Sequence, residues 1–135
     1  MSKYQSVREK MYQSVKEKGY KKLEVWKKAH EFAISVYENT KDFPANEGYG
    51  LTSQLRRAGL SVPTNIVEGQ ASNSKRDFLS FLNIANRSLV EAEYLLEVAV
   101  ELKYLSKEKY ELLEQLRYES GILLNGLMRS IRIRL

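Results

Sequence analysis

The residues with the clearest chemical potential lie in one stretch, QLRRAGLSVPTNIVEG, from position 54 to position 69. It holds two adjacent arginines, Arg56 and Arg57, whose planar guanidinium groups can bind carboxylates or phosphates through two parallel hydrogen bonds. Because consecutive residues of a helix point about 100° apart, the two side chains must face different neighbours. We expect one of them to pair with a carboxylate of the third helix, such as Glu91 or Glu93, and the other to face solvent or a phosphate.

A proline interrupts the helical pattern of the same stretch. Pro63 removes a backbone hydrogen bond and strains the preceding turn, which costs about 3 kcal/mol in an exposed helix. We therefore expect a kink, with the side chains of Ser61, Thr64 or Asn65 bonding to the carbonyls that the proline frees. Glu68, one turn beyond Asn65, is expected to share this structural role.

The sequence offers little for catalysis. His30 is the only histidine and falls on a predicted helix face with Trp26 and Tyr37, which is typical of a packed or edge side chain, and Trp26 is expected to be structural. There is no cysteine, no Glu-x-x-His pair for a di-iron site, no glycine-rich phosphate loop and no Ser/His/Asp set. We expect no enzyme activity, no catalytic residues, no metal and no cofactor.

Positive charge is concentrated at the N-terminus. Residues 1–28 hold nine Lys or Arg against three Glu, a sum of +6, so that residues 29–135 sum to −1. Contact with a polyanion would explain this polarity, and lysines that only aid solubility would explain it equally well. Besides Arg56 and Arg57, the candidate polyanion-binding side chains are Lys16, Lys18, Lys21, Lys22, Lys27, Lys28, Arg129 and Arg132.

The first nineteen residues stand apart from the rest. YQSVREK at positions 4–10 returns as YQSVKEK at positions 12–18, and Gly19 follows. We interpret residues 1–19 as a basic extension, either a short helix or disordered, and residues 20–135 as one domain. No apolar run approaches the roughly 20 residues of a membrane span, so we expect a cytoplasmic protein that makes no membrane contact.

Four helices are predicted in the domain, at about 21–41, 48–69, 75–104 and 107–129. Ser74 and Ser106 are the expected N-caps of the third and fourth. Short connections favour an all-α, antiparallel up-down-up-down bundle. The third helix has the clearest seam, a heptad pattern formed by Phe78, Leu82, Ala85, Leu89, Ala92, Leu96 and Ala99. The fourth is expected to turn inward Tyr110, Leu113, Leu116, Leu123, Leu124 and Leu127.

Two helices carry a second apolar line. On the first helix, the line Val25, Ala29, Phe32 and Val36 is accompanied by Trp26, His30, Ala33 and Tyr37, which predicts two buried sides. On the third helix, the second line is Phe81, Ile84, Leu95, Val98, Leu102 and Leu105. A second line needs a second partner, and self-association is the simplest source, unless the third helix is simply the most buried one.

Three segments together resemble a known family. LEVWKKAHEFAISVYENTKDFP, GYGLTSQLRRAGLSVPTNIVEG and FLSFLNIANRSLVEAEYLLEVA look like the four-helix bundle proteins encoded in intervening sequences of bacterial 23S ribosomal RNA genes. The accessory variability determinants of diversity-generating retroelements are structurally similar to that family. The resemblance covers about residues 20–130 and implies a four-helix fold that assembles into a homopentameric ring, with no established enzymatic activity.

Two classes of function follow. The first is a non-catalytic oligomer that binds structured RNA through its basic surfaces, since a ring multiplies the phosphate contacts of each chain. The second is a protein-interaction scaffold, such as the accessory subunit of a retroelement that binds a reverse transcriptase and its template RNA. The sequence alone leaves both open.

Overall fold

The computed structural model describes residues 23–135. The predicted extension at residues 1–19, and with it Lys16 and Lys18, lies outside the described residues, as do Lys21 and Lys22. Within residues 23–135 there are four α-helices and no strand: α1 (Glu24–Asn39), α2 (Leu51–Gln70), α3 (Lys75–Glu101) and α4 (Lys107–Ile133). Each helix packs against the next one along the chain, and α1 also packs against α4. The expectation of an all-α, four-helix fold is confirmed.

The helix ends follow local chemistry. Ser74 and Ser106 cap α3 and α4 as expected, because their hydroxyls accept hydrogen bonds from the backbone N–H groups of Asp77 and Lys109. α2 begins three residues later than predicted, because Ala45–Glu47 form a turn of 3-10 helix first. α4 continues past the predicted end at Arg129 to Ile133.

The predicted seam of α3 lies in the core. Leu82, Ala85, Leu89, Ala92, Leu96 and Ala99 are buried, and Phe78 is partly buried at the edge of the same core. On α4, Leu113, Leu116 and Leu124 are buried as expected. Leu123 is exposed, so its inward assignment is wrong; Ser120, Met128 and Ile131 line the core instead, because they lie on the same face of the helix as Leu124.

The second apolar lines are only partly covered within one chain. On α1 the line through Phe32 is buried, but His30 and Tyr37 of the other line are exposed, so the prediction of two buried sides is wrong for this chain alone. Of the second line predicted for the third helix, Leu95 and Leu105 are buried, whereas Ile84 and Leu102 are exposed, and Leu102 and Leu105 lie beyond the end of α3 at Glu101. α1 and α3 each contact two helices, which leaves one face of each helix uncovered.

Pro63 lies inside α2 and is buried, and the helix continues through it to Gln70. Proline lacks the N–H that would bond to the carbonyl four residues earlier, at Gly59. The hydroxyl of Thr64 donates to the carbonyl of Leu60 at 2.8 Å, and the amide of Asn65 donates to the carbonyl of Ser61 at 2.8 Å. These side chains therefore donate hydrogen bonds to the carbonyls of Leu60 and Ser61. Those two carbonyls follow that of Gly59, which lacks its usual backbone donor.

None of the helices in residues 23–135 combines the length and the apolar character needed to cross a membrane.

Candidate nucleic-acid interface

Arg56 connects α2 with the end of α1 through hydrogen bonds. Its Nε donates to the hydroxyl of Thr40 at 2.8 Å, its Nη2 donates to the carbonyl of Tyr37 at 3.3 Å, and its guanidinium carbon lies 4.8 Å from the centre of the Tyr37 ring. These contacts combine hydrogen bonding with a cation–π interaction. Arg56 is therefore engaged inside the chain, which argues for a structural role and against contact with a phosphate.

Neither arginine of the pair forms the expected ion pair with Glu91 or Glu93 among the described residues. The physical reason is direction: Arg56 faces α1, while Glu93 faces α4 and binds Arg117. Arg57 is exposed on α2, as the prediction for the second arginine required.

Arg117 binds two carboxylates, of which Glu93 on α3 connects that helix with α4 and Glu114 lies on α4 itself. Its Nη2 lies 2.8 Å from Glu93 Oε2 and 2.6 Å from Glu114 Oε1, and its Nε donates to Glu114 Oε2 at 2.7 Å. The hydrogen bonds and charges of these partners raise the pKa of Arg117, against the effect of burial. Burial, followed by the charges of Glu114, Glu97 and Glu93, raises the pKa of Tyr110. This part of the α3–α4 surface is thus negative and unsuited to phosphate.

The opposite end of the same two helices is positive. Lys75 Nζ donates to the backbone carbonyl of Arg134 at 3.0 Å, which brings the start of α3 to the end of α4. Arg76 in the first turn of α3 is exposed, and so are three arginines near the end of α4. We call this cluster the basic end; it consists of Lys75, Arg76, Arg129, Arg132 and Arg134.

Two members of the basic end were not singled out in the sequence. Lys75 and Arg76 directly follow the N-cap Ser74, where the positive end of the helix dipole makes a cation unfavourable by about 0.3–1 kcal/mol. Acidic residues are the usual choice in a first turn, so two cations there are a signal that sequence inspection could have used. Arg132 lies in the last turn of α4, where the dipole favours it.

Lys27 and Lys28 form ion pairs on the surface. Lys27 Nζ lies 3.1 Å from Glu24 Oε1, and Lys28 Nζ lies 3.0 Å from Glu119 Oε2 and 3.7 Å from Glu31 Oε2. The hydrogen bond and charge of Glu119 raise the pKa of Lys28. A phosphate would have to compete with these carboxylates, which makes both lysines weaker candidates than the basic end.

The residues predicted to be structural have different surroundings. Asn65 is buried and donates to the carbonyl and hydroxyl of Ser61, and the hydroxyl of Ser88 on α3 donates to that of Ser61 at 2.8 Å. This small polar network connects α2 with α3. The side chain of Glu68 is exposed, outside the network.

The rings of Trp26 and His30 stack on α1. Their centroids lie 4.9 Å apart, and their planes are 15° from parallel. His30 is exposed and Trp26 is partly buried. In the part of the chain from residue 23 onward, no group of three or more His, Cys, Asp or Glu is placed to hold a metal ion.

Comparisons with known proteins bear on the family and the fold of the chain. The family model described as 23S rRNA-intervening sequence protein matches residues 21–126. The search of curated proteins found no match. Among solved structures, the chain is similar to the crystal structure of a protein with unknown function from the S23 ribosomal protein family of Bacteroides thetaiotaomicron VPI-5482. The two are 30% identical, the match covers 78% of this chain and 95% of that chain, and the TM-score is 0.72.

Proposed function

Because the chain belongs to the 23S rRNA-intervening sequence protein family, we propose that it is a non-catalytic homo-oligomer that binds structured RNA. The family name connects its genes with ribosomal RNA and supplies the class of partner. The contact surface is argued from this chain's own residues.

The observation that carries the proposal is the basic end. Five Lys or Arg residues lie at the start of α3 and near the end of α4, and the hydrogen bond from Lys75 to the Arg134 carbonyl brings the two segments together. Asp77 on α3, Glu68 on α2 and Glu24 at the start of α1 are acidic side chains in the neighbouring helical turns. A cluster with a positive balance attracts phosphates through charge and counterion release.

The placement of Lys75 and Arg76 supports a binding role. Both occupy the first turn of α3, where they oppose the helix dipole and repel the arginines of α4. Neither effect stabilises the free protein. A bound polyanion would remove both penalties, because its phosphates screen the cations from one another.

The residues outside the described part of the chain also carry a positive net charge. Residues 1–22 hold seven Lys or Arg and two Glu, so the net charge of +5 falls entirely within them. Arg56, near the start of α2, contacts Thr40, and Lys109, near the start of α4, contacts Asp42. Because Thr40 and Asp42 follow the end of α1, we take neighbouring helices to alternate in direction. The start of α1 then lies toward the basic end.

Self-association is the second part of the proposal. Several large apolar side chains are exposed to solvent: Ile34 on α1, Ile84 on α3, Leu102 at the C-cap of α3, and Leu112 and Ile122 on α4. Contact with another copy would bury them, and the family resemblance favours a ring of five. A ring would repeat the basic end around one axis and multiply its phosphate contacts.

Charge reversal tests the RNA contact. We expect Arg76→Glu with Arg132→Glu to weaken binding of a labelled RNA hairpin in fluorescence anisotropy. The slope of log affinity against log salt should become shallower by about 0.7–0.9 for each phosphate that the variant no longer neutralises. Lys75 is left unchanged because it bonds to the Arg134 carbonyl.

The matched control compares Arg87→Glu with Arg76→Glu alone, since each makes the same charge change at an exposed residue of α3. If Arg87→Glu reduces affinity as much as Arg76→Glu does, binding follows net charge and the basic end is not the site. If the unaltered protein binds the hairpin no better than a basic control protein does, RNA is not the partner. The exposed apolar faces would then favour the scaffold role, in which a protein such as a reverse transcriptase is bound.

A further inference from the structure

The connection between α1 and α2 presents one large side chain entirely to solvent. Tyr49 lies between Gly48 and Gly50, just before α2, and its relative exposure is 104%. Tyr94 is the next most exposed tyrosine from residue 23 onward, with a relative exposure of 65%. Both faces of the Tyr49 ring are therefore open.

The backbone that carries Tyr49 is held by a dense set of bonds. Glu47 Oε1 accepts from the N–H of Leu51 at 3.3 Å, and Glu47 Oε2 accepts from the hydroxyl of Tyr104 at 3.0 Å. The N–H of Gly50 donates to the carbonyl of Glu47 at 2.9 Å. A side chain at position 50 would meet Glu47 Oε1 at 2.6 Å, so a larger residue there would displace this carboxylate from its present position. A fixed backbone with a bare aromatic ring is preorganised for contact with a flat partner.

Cations accompany the ring at this end of the bundle. The bond between Tyr104 and Glu47 brings the α3–α4 connection, with exposed Lys103 and Lys107, to the α1–α2 connection, where Lys41 is exposed. Two acidic side chains here are already engaged, Asp42 by Lys109 at 3.8 Å and Glu47 by the bonds above. Glu101 and Glu108 are also exposed nearby, so charge attraction is modest and most of the affinity must come from the ring itself.

We propose that Tyr49 is a stacking platform for an unpaired base of the RNA; this inference rests on the proposed function. An aromatic face accepts any base, and a stacked base supplies affinity that depends little on salt. Tyr49 lies just before α2, and the basic end begins just after α2, at Lys75. The 20 residues of α2 separate the two by roughly 30 Å. An RNA that meets both must therefore combine a helical stem with an unpaired segment.

The test uses the full chain and two labelled RNAs, a hairpin whose stem is longer than α2 and whose loop is unpaired, and a blunt duplex with the same stem. We expect Tyr49→Ala to weaken hairpin binding about tenfold, to leave its salt slope unchanged and to leave duplex binding unchanged. Tyr49→Phe should retain the affinity, because the ring is kept. Tyr94→Ala, a matched change at an exposed tyrosine of α3, should behave as the unaltered protein.

The outcomes separate this inference from the proposed function. If the unaltered protein binds the hairpin and Tyr49→Ala binds it equally well, the stacking site is refuted and RNA binding stands. If Tyr49→Ala lowers the mass in light scattering, the ring contacts another copy and the base-stacking role is refuted. If the unaltered protein binds neither RNA, both proposals fail together.

Discussion

At the scale of single residues, three arginines illustrate how surroundings decide the role of one residue type. Arg56 is held by the hydroxyl and carbonyl of α1 residues, and Arg117 by two carboxylates, with a side-chain exposure of only 12%. Arg132 is exposed at the end of α4. Guanidinium groups that are already hydrogen-bonded inside the chain stabilise the fold, whereas exposed ones remain available to phosphate.

Arg117→Met should destabilise the protein by about 2 kcal/mol. The change removes three hydrogen bonds and leaves the carboxylates of Glu93 and Glu114 side by side without their shared cation. Urea denaturation followed by circular dichroism measures the effect, at one fixed protein concentration because association would shift the midpoint.

Lys27→Met is the control for this change. It breaks the Lys27–Glu24 pair, whose side chains are 55% and 72% exposed, and should alter stability by less than about 0.5 kcal/mol. If Arg117→Met destabilises the protein no more than Lys27→Met does, water screens the ion pairs of Arg117 as strongly as it screens an exposed surface pair.

At the scale of the helices, close approach of α2 and α3 depends on a glycine. A Cβ at Gly69 would lie 2.8 Å from Cδ1 of the Phe78 ring and 3.0 Å from Cβ of Phe81. The end of α2 can therefore lie against the first turns of α3 only because position 69 has no side chain. This contact also positions the start of α3, which carries Lys75 and Arg76 of the basic end.

Two glycine-to-alanine changes should have opposite effects on stability. Gly69→Ala should destabilise the protein by about 1 kcal/mol, because overpacking outweighs the better helix propensity of alanine. Gly126→Ala on α4 should stabilise it by about 0.5–1 kcal/mol, because nothing lies within 4 Å of the new methyl group. Thermal unfolding of the two variants measures both effects, and a gain in stability at position 69 would show that α2 and α3 separate easily.

At the scale of the whole molecule, the charges are arranged with polarity. Residues 23–135 contain equal numbers of basic and acidic side chains, yet Glu93, Glu97 and Glu114 lie around Arg117 and Tyr110, while the basic end lies at the start of α3 and the end of α4. Large apolar side chains remain exposed on α1, α3 and α4. A chain with acidic and basic surfaces separated along α3 and α4 and with uncovered apolar faces is suited to association with copies of itself.

Light scattering of the purified protein should give a multiple of 15.7 kDa, with five chains expected. Ile84→Glu on the second apolar line of α3 should shift the mass toward that of one chain, because a charge replaces an apolar side chain in the proposed contact. Val90→Glu, an exposed position on a different face of α3, serves as the control. A single-chain mass for the unaltered protein at micromolar concentration would refute self-association.

Much of the fold could be predicted from the sequence, because it depends on local patterns. The heptad seam from Phe78 to Ala99 predicted the buried face of α3, and Ser74 and Ser106 predicted where two helices begin. Apolar periodicity and N-cap chemistry are written in neighbouring residues, so no knowledge of distant contacts is needed. Leu123 was misassigned because the apolar residues of α4 extend around more of the helix than α1 and α3 cover.

The partners of charged side chains were decided by tertiary structure alone. The sequence showed that Arg56 and Arg57 point in different directions, but Arg56 binds Thr40 across a helix pair and Glu93 binds Arg117, not either of them. Lys75 meets the Arg134 carbonyl across a separation of 59 residues. The partner of a side chain on another helix depends on which faces of the two helices meet and on how far one helix is shifted along the other. Both are set by how the whole core packs. The sequence by itself therefore determined the helices and their seams, while only the tertiary structure brought the basic end together.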